Sequence, residues 1–365
     1  MPHPLTLVRA TFPLLGFLSI YTMWIPYMQK GFYYHATEVR TTRNLTPEGD
    51  VKLLELSTGI QSLDRLIETL VISFWPVVKG QDPALSLLGL TFAASWGTLY
   101  ILLALEARRT KSTLCVAWRL AWLMILLSFF SEAFVLPIYC AVTLSRSPHP
   151  TGARKHQPFR SLEDLPISLI ICFYTPVALI ALPVAGPISD MKRQLVMYLT
   201  VGWPLWAFLV VATLSFLSYL SQRPTIPERN ELSPSNRRTL YMATFLTAAI
   251  THLVALLAPL VLEGATVSEI FCPPLPWAIT WFSTKEEAIA AFLQWDHIIS
   301  GATLVLWALG VYTRDCDEDV DLFRLALMAL GLTIVASPAG AATVLIWKLD
   351  MTLHLRAGGK TGKTM

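Results

Sequence analysis

The chain has 365 residues, 54% of them hydrophobic and only 15% charged, with a mean hydropathy of +0.53 and a formal charge of +3. That balance excludes an ordinary soluble globular protein, and Lys and Arg scattered over short loops leave no footprint for nucleic acid. Five single cysteines, without C-x-x-C or Cys/His ligand spacing, indicate neither a zinc site nor a disulfide framework.

The apolar runs predict an all-α fold, a polytopic transmembrane helical bundle filling residues 1–365 as one helical membrane domain. The first span is Leu5–Met28, too long for a signal-peptide core and read as a retained anchor, closed by Tyr27, Phe32, Tyr33 and Tyr34 at the interface. A polar loop with the sequon Asn44-Leu45-Thr46 leads to the second stretch, Gly59–Gly80, which is expected to end where Pro76 interrupts the ladder. Ala84–Leu105 is the third span. The fourth, Thr113–Leu144, is long enough to require tilt or a kink. Leu165–Ile188 carries Pro176, Pro183 and Pro187, and Leu195–Leu220 is rich in aromatics. Leu240–Leu262 contains His252, and the Cys272-Pro-Pro-Leu-Pro-Trp segment reads as an interfacial or re-entrant loop. Ala288–Tyr312 and Leu322–Lys348 complete about nine spans, or eight if Gly59–Gly80 lies in the interface. Nine spans and a basic tail place the N-terminus in the lumen and the C-terminus in the cytosol, where Asn44 is not glycosylated.

Ionisable groups inside membrane spans are costly and face the protein interior or a wet cavity. In the second stretch, Asp64, Glu68 and Trp75 fall on one helical stripe, offering two acids and an indole face. The alternative is that Asp64 and Arg65 cap and anchor the helix at the headgroups. Glu132 lies mid-run, too far along from Arg119 to pair within one helix. Asp296 stands beside His297 in Gln294-Trp295-Asp296-His297 and heads the candidate proton donors, followed by Asp64, Glu68 and Glu132. Trp75, Trp295 and Trp307, with His297, are the candidate walls for a substrate cation. The Asp315–Asp321 turn is acidic, but its short polar setting reads as a solvated connection and no metal site is expected.

The chain resembles the fungal membrane-bound terpene cyclases of the ascochlorin, ascofuranone and macrophorin pathways, with relatives in indole-diterpene clusters. The residues carrying this likeness are Gly59-Ile60, Leu63-Asp64, Leu70-Val71, Phe74-Trp75-Pro76-Val77-Val78, Gly80 and Pro83. Glu106-Ala-Arg-Arg109, Phe292-Leu293-Gln294-Trp295-Asp296, Gly301 and Leu304-Val305-Leu306-Trp307-Ala308 add to it. The resemblance implies cyclisation of a farnesyl or epoxyfarnesyl meroterpenoid, begun by protonation, without diphosphate loss, metal or other cofactor. It implies a hydrophobic prenylated substrate and a multi-pass protein of the endoplasmic reticulum bilayer, and leaves the oligomeric state open. Members often carry an acid before the glycine of the Phe-Trp-Pro element, where this chain has Lys79; an acid acting there would displace Asp64 and Glu68. A transporter or biosynthetic scaffold, or a Mg²⁺-dependent prenyltransferase, is the alternative reading.

Overall fold

The computed structural model describes residues 4–55, 58–108, 113–145, 164–181, 188–221, 234–316 and 321–361. Every regular element among them is helical apart from one antiparallel bridge, Asn44 to Lys52. Five helices there are long and apolar enough to cross a membrane. They are α1 (Leu5–Gln29), α4 (Pro83–Arg108), α10 (Pro234–Leu257), α12 (Lys285–Asp315) and α13 (Leu322–Thr361). The pair α8 (Asp190–Val201) and α9 (Trp203–Ser221), bent by 65° at Gly202, is apolar enough to count as a sixth if the two helices form one span. The shorter helices are α2 (Phe32–Thr42), α3 (Gln61–Lys79), α5 (Thr113–Phe130), α6 (Glu132–Ser145), α7 (Leu165–Ile180) and α11 (Val267–Phe271). The expected count of about nine spans is not confirmed: among the described residues five helices are long and apolar enough, and several of the other hydrophobic runs are broken.

The second stretch is an amphipathic helix and not among the long apolar ones. Pro76 does not end α3. The helix runs three residues further to Lys79 and stops at Gly80, whose φ of 72° suits a glycine.

Hydrogen bonds fix the two ends of the bundle. At one end Arg314, in the last turn of α12, reaches the Glu106 carboxylate at 2.9 Å and the Thr143 carbonyl at 3.4 Å, while Arg9 of α1 donates to the Leu144 carbonyl. At the other end the Phe282 N–H donates to the Lys30 carbonyl at 2.7 Å and Lys285 to the Leu45 carbonyl. Chain leaving α4 at the Arg314 end is thus back at that end by Thr143. A straight helix over 113–145 would be about 48 Å long, so α5 and α6 cannot continue one another across the bilayer. The run doubles back at Ser131, a non-glycine residue at φ 69°.

The final run does the same. Glu263 and Gly264, just beyond α10, line a cavity with Ala84 and Phe282, which places the end of α10 at the Lys30 end. Tyr241, about 24 Å back along the helix, is then at the Arg314 end, and its hydroxyl donates to Asp350 at 2.5 Å. Because α13 also starts at the Arg314 end, it must turn, and it breaks at Ala336–Ser337, where Ser337 has φ 72°. Pro338 follows the break and rests on α12 at Gly301, where an added Cβ would lie 2.8 Å from the proline ring. Gly301→Ala is expected to cost about 1–3 kcal/mol by overpacking, seen as a lower melting temperature in detergent. Arg9 and Asp350 share one end of the bundle, so the expectation of termini on opposite faces is corrected.

Candidate active site

The two hairpin tips meet α12 halfway along its length. Thr284 caps α12, accepting from the Glu287 N–H at 3.2 Å, and sets its register. Asp296 then lies about 16 Å along the helix, in the interior, with 2% of its surface exposed. Its Oδ1 accepts the Ala133 N–H at 2.6 Å, and the Glu132 N–H is directed at the same carboxyl. Asp296 therefore does for α6 what a capping side chain does at an ordinary helix start, where the first N–H groups have no partner within the helix. The π-helical turn Ile20–Trp24 of α1 packs Met23 against Ala133 and Ile299 behind this tip.

Glu132, also 2% exposed, is the first residue of α6. The Ser300 side chain of α12 stands near its carboxyl, and one oxygen, Oε1, has no hydrogen-bond partner among the described residues. Glu132 lines a narrow cavity with Ser95, Leu99, His297, Ser300 and Pro338. That cavity holds about 10 Å³, scarcely room for one water. Glu132 thus presents an unpartnered acceptor to a narrow space of mixed apolar and polar lining, with Asp296 alongside on α12.

A second, larger cavity of about 1010 Å³ lies one turn away at the Lys30 end. Its walls include Ala84, Cys272, Trp281, Phe282 and Gln294. Gln294 stands one turn before His297 and donates to the Glu269 carbonyl at 2.5 Å. The Phe271 ring packs against His252, with centroids 5.4 Å apart, and against His297 at 6.2 Å. Gln294 and α11 therefore separate the two spaces. Among the described residues no group of three His, Cys, Asp or Glu side chains is arranged to hold a metal ion.

Residues 8–354 match the CtvD domain family model. The chain is 44% identical to terpene cyclase sdgD of Emericella nidulans over 364 residues, covering 99% of each. It is 28% identical to terpene cyclase verU1 of Penicillium polonicum, covering 97% of this chain and 98% of that one. With terpene cyclase atmA of Aspergillus flavus it shares 26% identity, covering 96% and 99%. The chain belongs to the CtvD family of fungal terpene cyclases. No solved structure matches it. Its helices and its relatives make it a membrane protein, and terpene cyclisation is the function that the relatives support.

In this terpene cyclase the candidate acids divide into two groups. Glu132 and Asp296 come together although the hydrogen-bonding pair Ala133 and Asp296 is 163 positions apart in the chain, and His297 lines the cavity with Glu132. Asp64 and Glu68 do not join them. Asp64 accepts the Thr58 N–H at 2.8 Å and its hydroxyl at 2.6 Å, tying down the start of α3. Glu68 is buried but paired with Arg43, at 2.8 Å. Arg43→Ala would strand that carboxylate; because Arg43 is partly exposed, the expected loss is about 1–3 kcal/mol, below the 3–5 of a fully buried pair, measurable by thermal unfolding. Turnover per folded molecule should be unchanged.

The aromatic candidates also fall apart from the acids. Trp75 and Trp307 are each 1% exposed and packed in the core, and neither lines a described cavity. Trp295 donates to the Pro274 carbonyl at 3.1 Å and braces the loop outside. The aromatic ring that does stand beside His297 is Phe271, which sequence reasoning passed over. Its only signal was a position just before the Cys272-Pro-Pro segment. Asp315 ends α12 in an ion pair with Arg314 at 2.9 Å. Asp317 to Val320 lie outside the described residues. Lys79 closes α3.

Proposed function

We propose that the protein cyclises a prenylated meroterpenoid with a farnesyl or epoxyfarnesyl chain in the endoplasmic reticulum membrane, and that Glu132 starts the reaction as general acid. The observation carrying this reading is the unpartnered, buried Glu132 Oε1 in a narrow, mostly apolar cavity, with Asp296 next to it. Two carboxyls this close in a dry site do not both carry charge without a neighbouring cation, so the pair would hold a proton. That proton would pass to the terminal alkene or to the epoxide oxygen, leaving a tertiary cation. Successive double bonds of the chain would then attack it, and the final cation would return a proton to the carboxylate left behind. The net reaction is an isomerisation that consumes no cofactor. Asp296, anchored by backbone N–H groups, would stay ionised and stabilise the developing positive charge.

Microsomes from a heterologous host expressing the protein, fed farnesylated phenols and their epoxides, test this reading. Cyclised product of unchanged mass is the expected result, and turnover should survive EDTA. Loss of turnover in chelator, restored by Mg²⁺, would instead favour a diphosphate-using prenyltransferase.

A further inference from the structure

We infer that the cavity of about 1010 Å³ is the subsite for the substrate's ring-bearing head group, and that the prenyl chain enters tail first past Gln294 and Phe271. The inference rests on the reading of Glu132 and Asp296 as the initiating acids. Cyclisation begins at the end of the chain farthest from the head group, so that end must be the deepest. The inner space is lined by the acid and holds about one water, so the chain terminus enters only when Phe271 and α11 move aside, and a ring is bulkier still. The outer one has the volume of a small-molecule site and offers the exposed Trp281 together with Thr280, Thr284 and Gln294 as polar and aromatic surface. Its charged wall residues are all acids, Asp82, Glu263, Glu269, Glu286 and Glu287. Such a wall accepts a neutral phenol, whose hydroxyl can donate to a carboxylate, and repels a carboxylated or phosphorylated head group.

The partition is built to give way. α11 has five residues, is held at its start by a Thr266–Glu269 capping box, and sits in a connection between two long helices. Its C-terminal residue, Phe271, closes over His297. Moving this one turn breaks the hydrogen bond from Gln294 to the Glu269 carbonyl and would join the two spaces. Phe271 and Gln294 are thus positioned to admit a slender isoprenoid tail in preference to the ring.

Two photoaffinity probes test the inference on the full-length protein in microsomes, one a farnesylated phenol with a diazirine on the ring, the other with the diazirine at the chain terminus. The ring probe should label peptides spanning 272–287, and the terminal probe should label 132–136 or 300–304. Unlabelled farnesylated phenol should suppress both signals, and a carboxylated ring should compete poorly. Labelling is read in the wild type and in Glu132→Gln, so it does not depend on turnover. Reversed labelling overturns the tail-first orientation, and ring labelling outside 272–287 and its facing residues overturns the head-group subsite. A Glu132→Gln protein that still forms product while keeping the expected labels would overturn the acid assignment and leave the subsite standing.

Discussion

Glu132→Gln is expected to lower product formation by about 10²–10⁴-fold, the usual contribution of a positioned general acid, while the protein accumulates normally in membranes. Glutamine fills the same volume, and its carbonyl can still accept from Ser300. The position of the unpartnered oxygen tolerates an amide because no donor among the described residues opposes it. Only the transferable proton is lost. Asp64→Asn and Glu68→Gln, outside this cavity, should retain turnover per folded molecule. Wild-type product from Glu132→Gln, measured against protein level in the same microsomes, would remove Glu132 from the mechanism.

Asp296 should separate into two roles under two substitutions. Asp296→Ala takes away the acceptor for the Ala133 N–H. A buried donor left without a partner costs about 1–3 kcal/mol, so both accumulation and activity should fall. Asp296→Asn keeps an oxygen for that N–H but carries neither a proton to share nor a charge to steady a cation. Accumulation should hold while the rate drops about 10²-fold or more. Full activity in Asp296→Asn would reduce Asp296 to a helix cap.

The long, uniformly apolar helices were legible in the sequence because length and hydropathy alone define them; α1, α4, α10 and α12 lie close to where those runs predict. The breaks were not. Ser131 stands between Phe130 and Glu132 with no glycine or proline at the turn, and Pro137, six residues on, is accommodated inside α6. At the second break the signal existed, since the residue before a proline disfavours helix, and Ser337 precedes Pro338. Pro76 taught the opposite lesson, being absorbed by a helix that ends at a glycine. The acids were recognisable one at a time from their depth in apolar runs. Their pairing was invisible, because it joins a hairpin tip to the middle of a distant helix. Glu68 looked active for a sound reason, its burial, but its neutralising partner Arg43 comes from a loop and leaves no periodic trace.

The cap on α6 also bears on the order in which the protein can mature. The Ala133 N–H is synthesised 163 residues before the carboxylate that satisfies it. In lipid an unsatisfied backbone donor is expensive, so the first hairpin cannot settle at its final depth while only the N-terminal half has left the ribosome. It must wait near the headgroups, or be held by a chaperone, until α12 arrives. A nascent chain truncated before Asp296 should leave residues 113–145 shallow and open to protease, and extension through α12 should draw the tip inward. Assembly of the Glu132–Asp296 pair and completion of the membrane fold would then be a single late event.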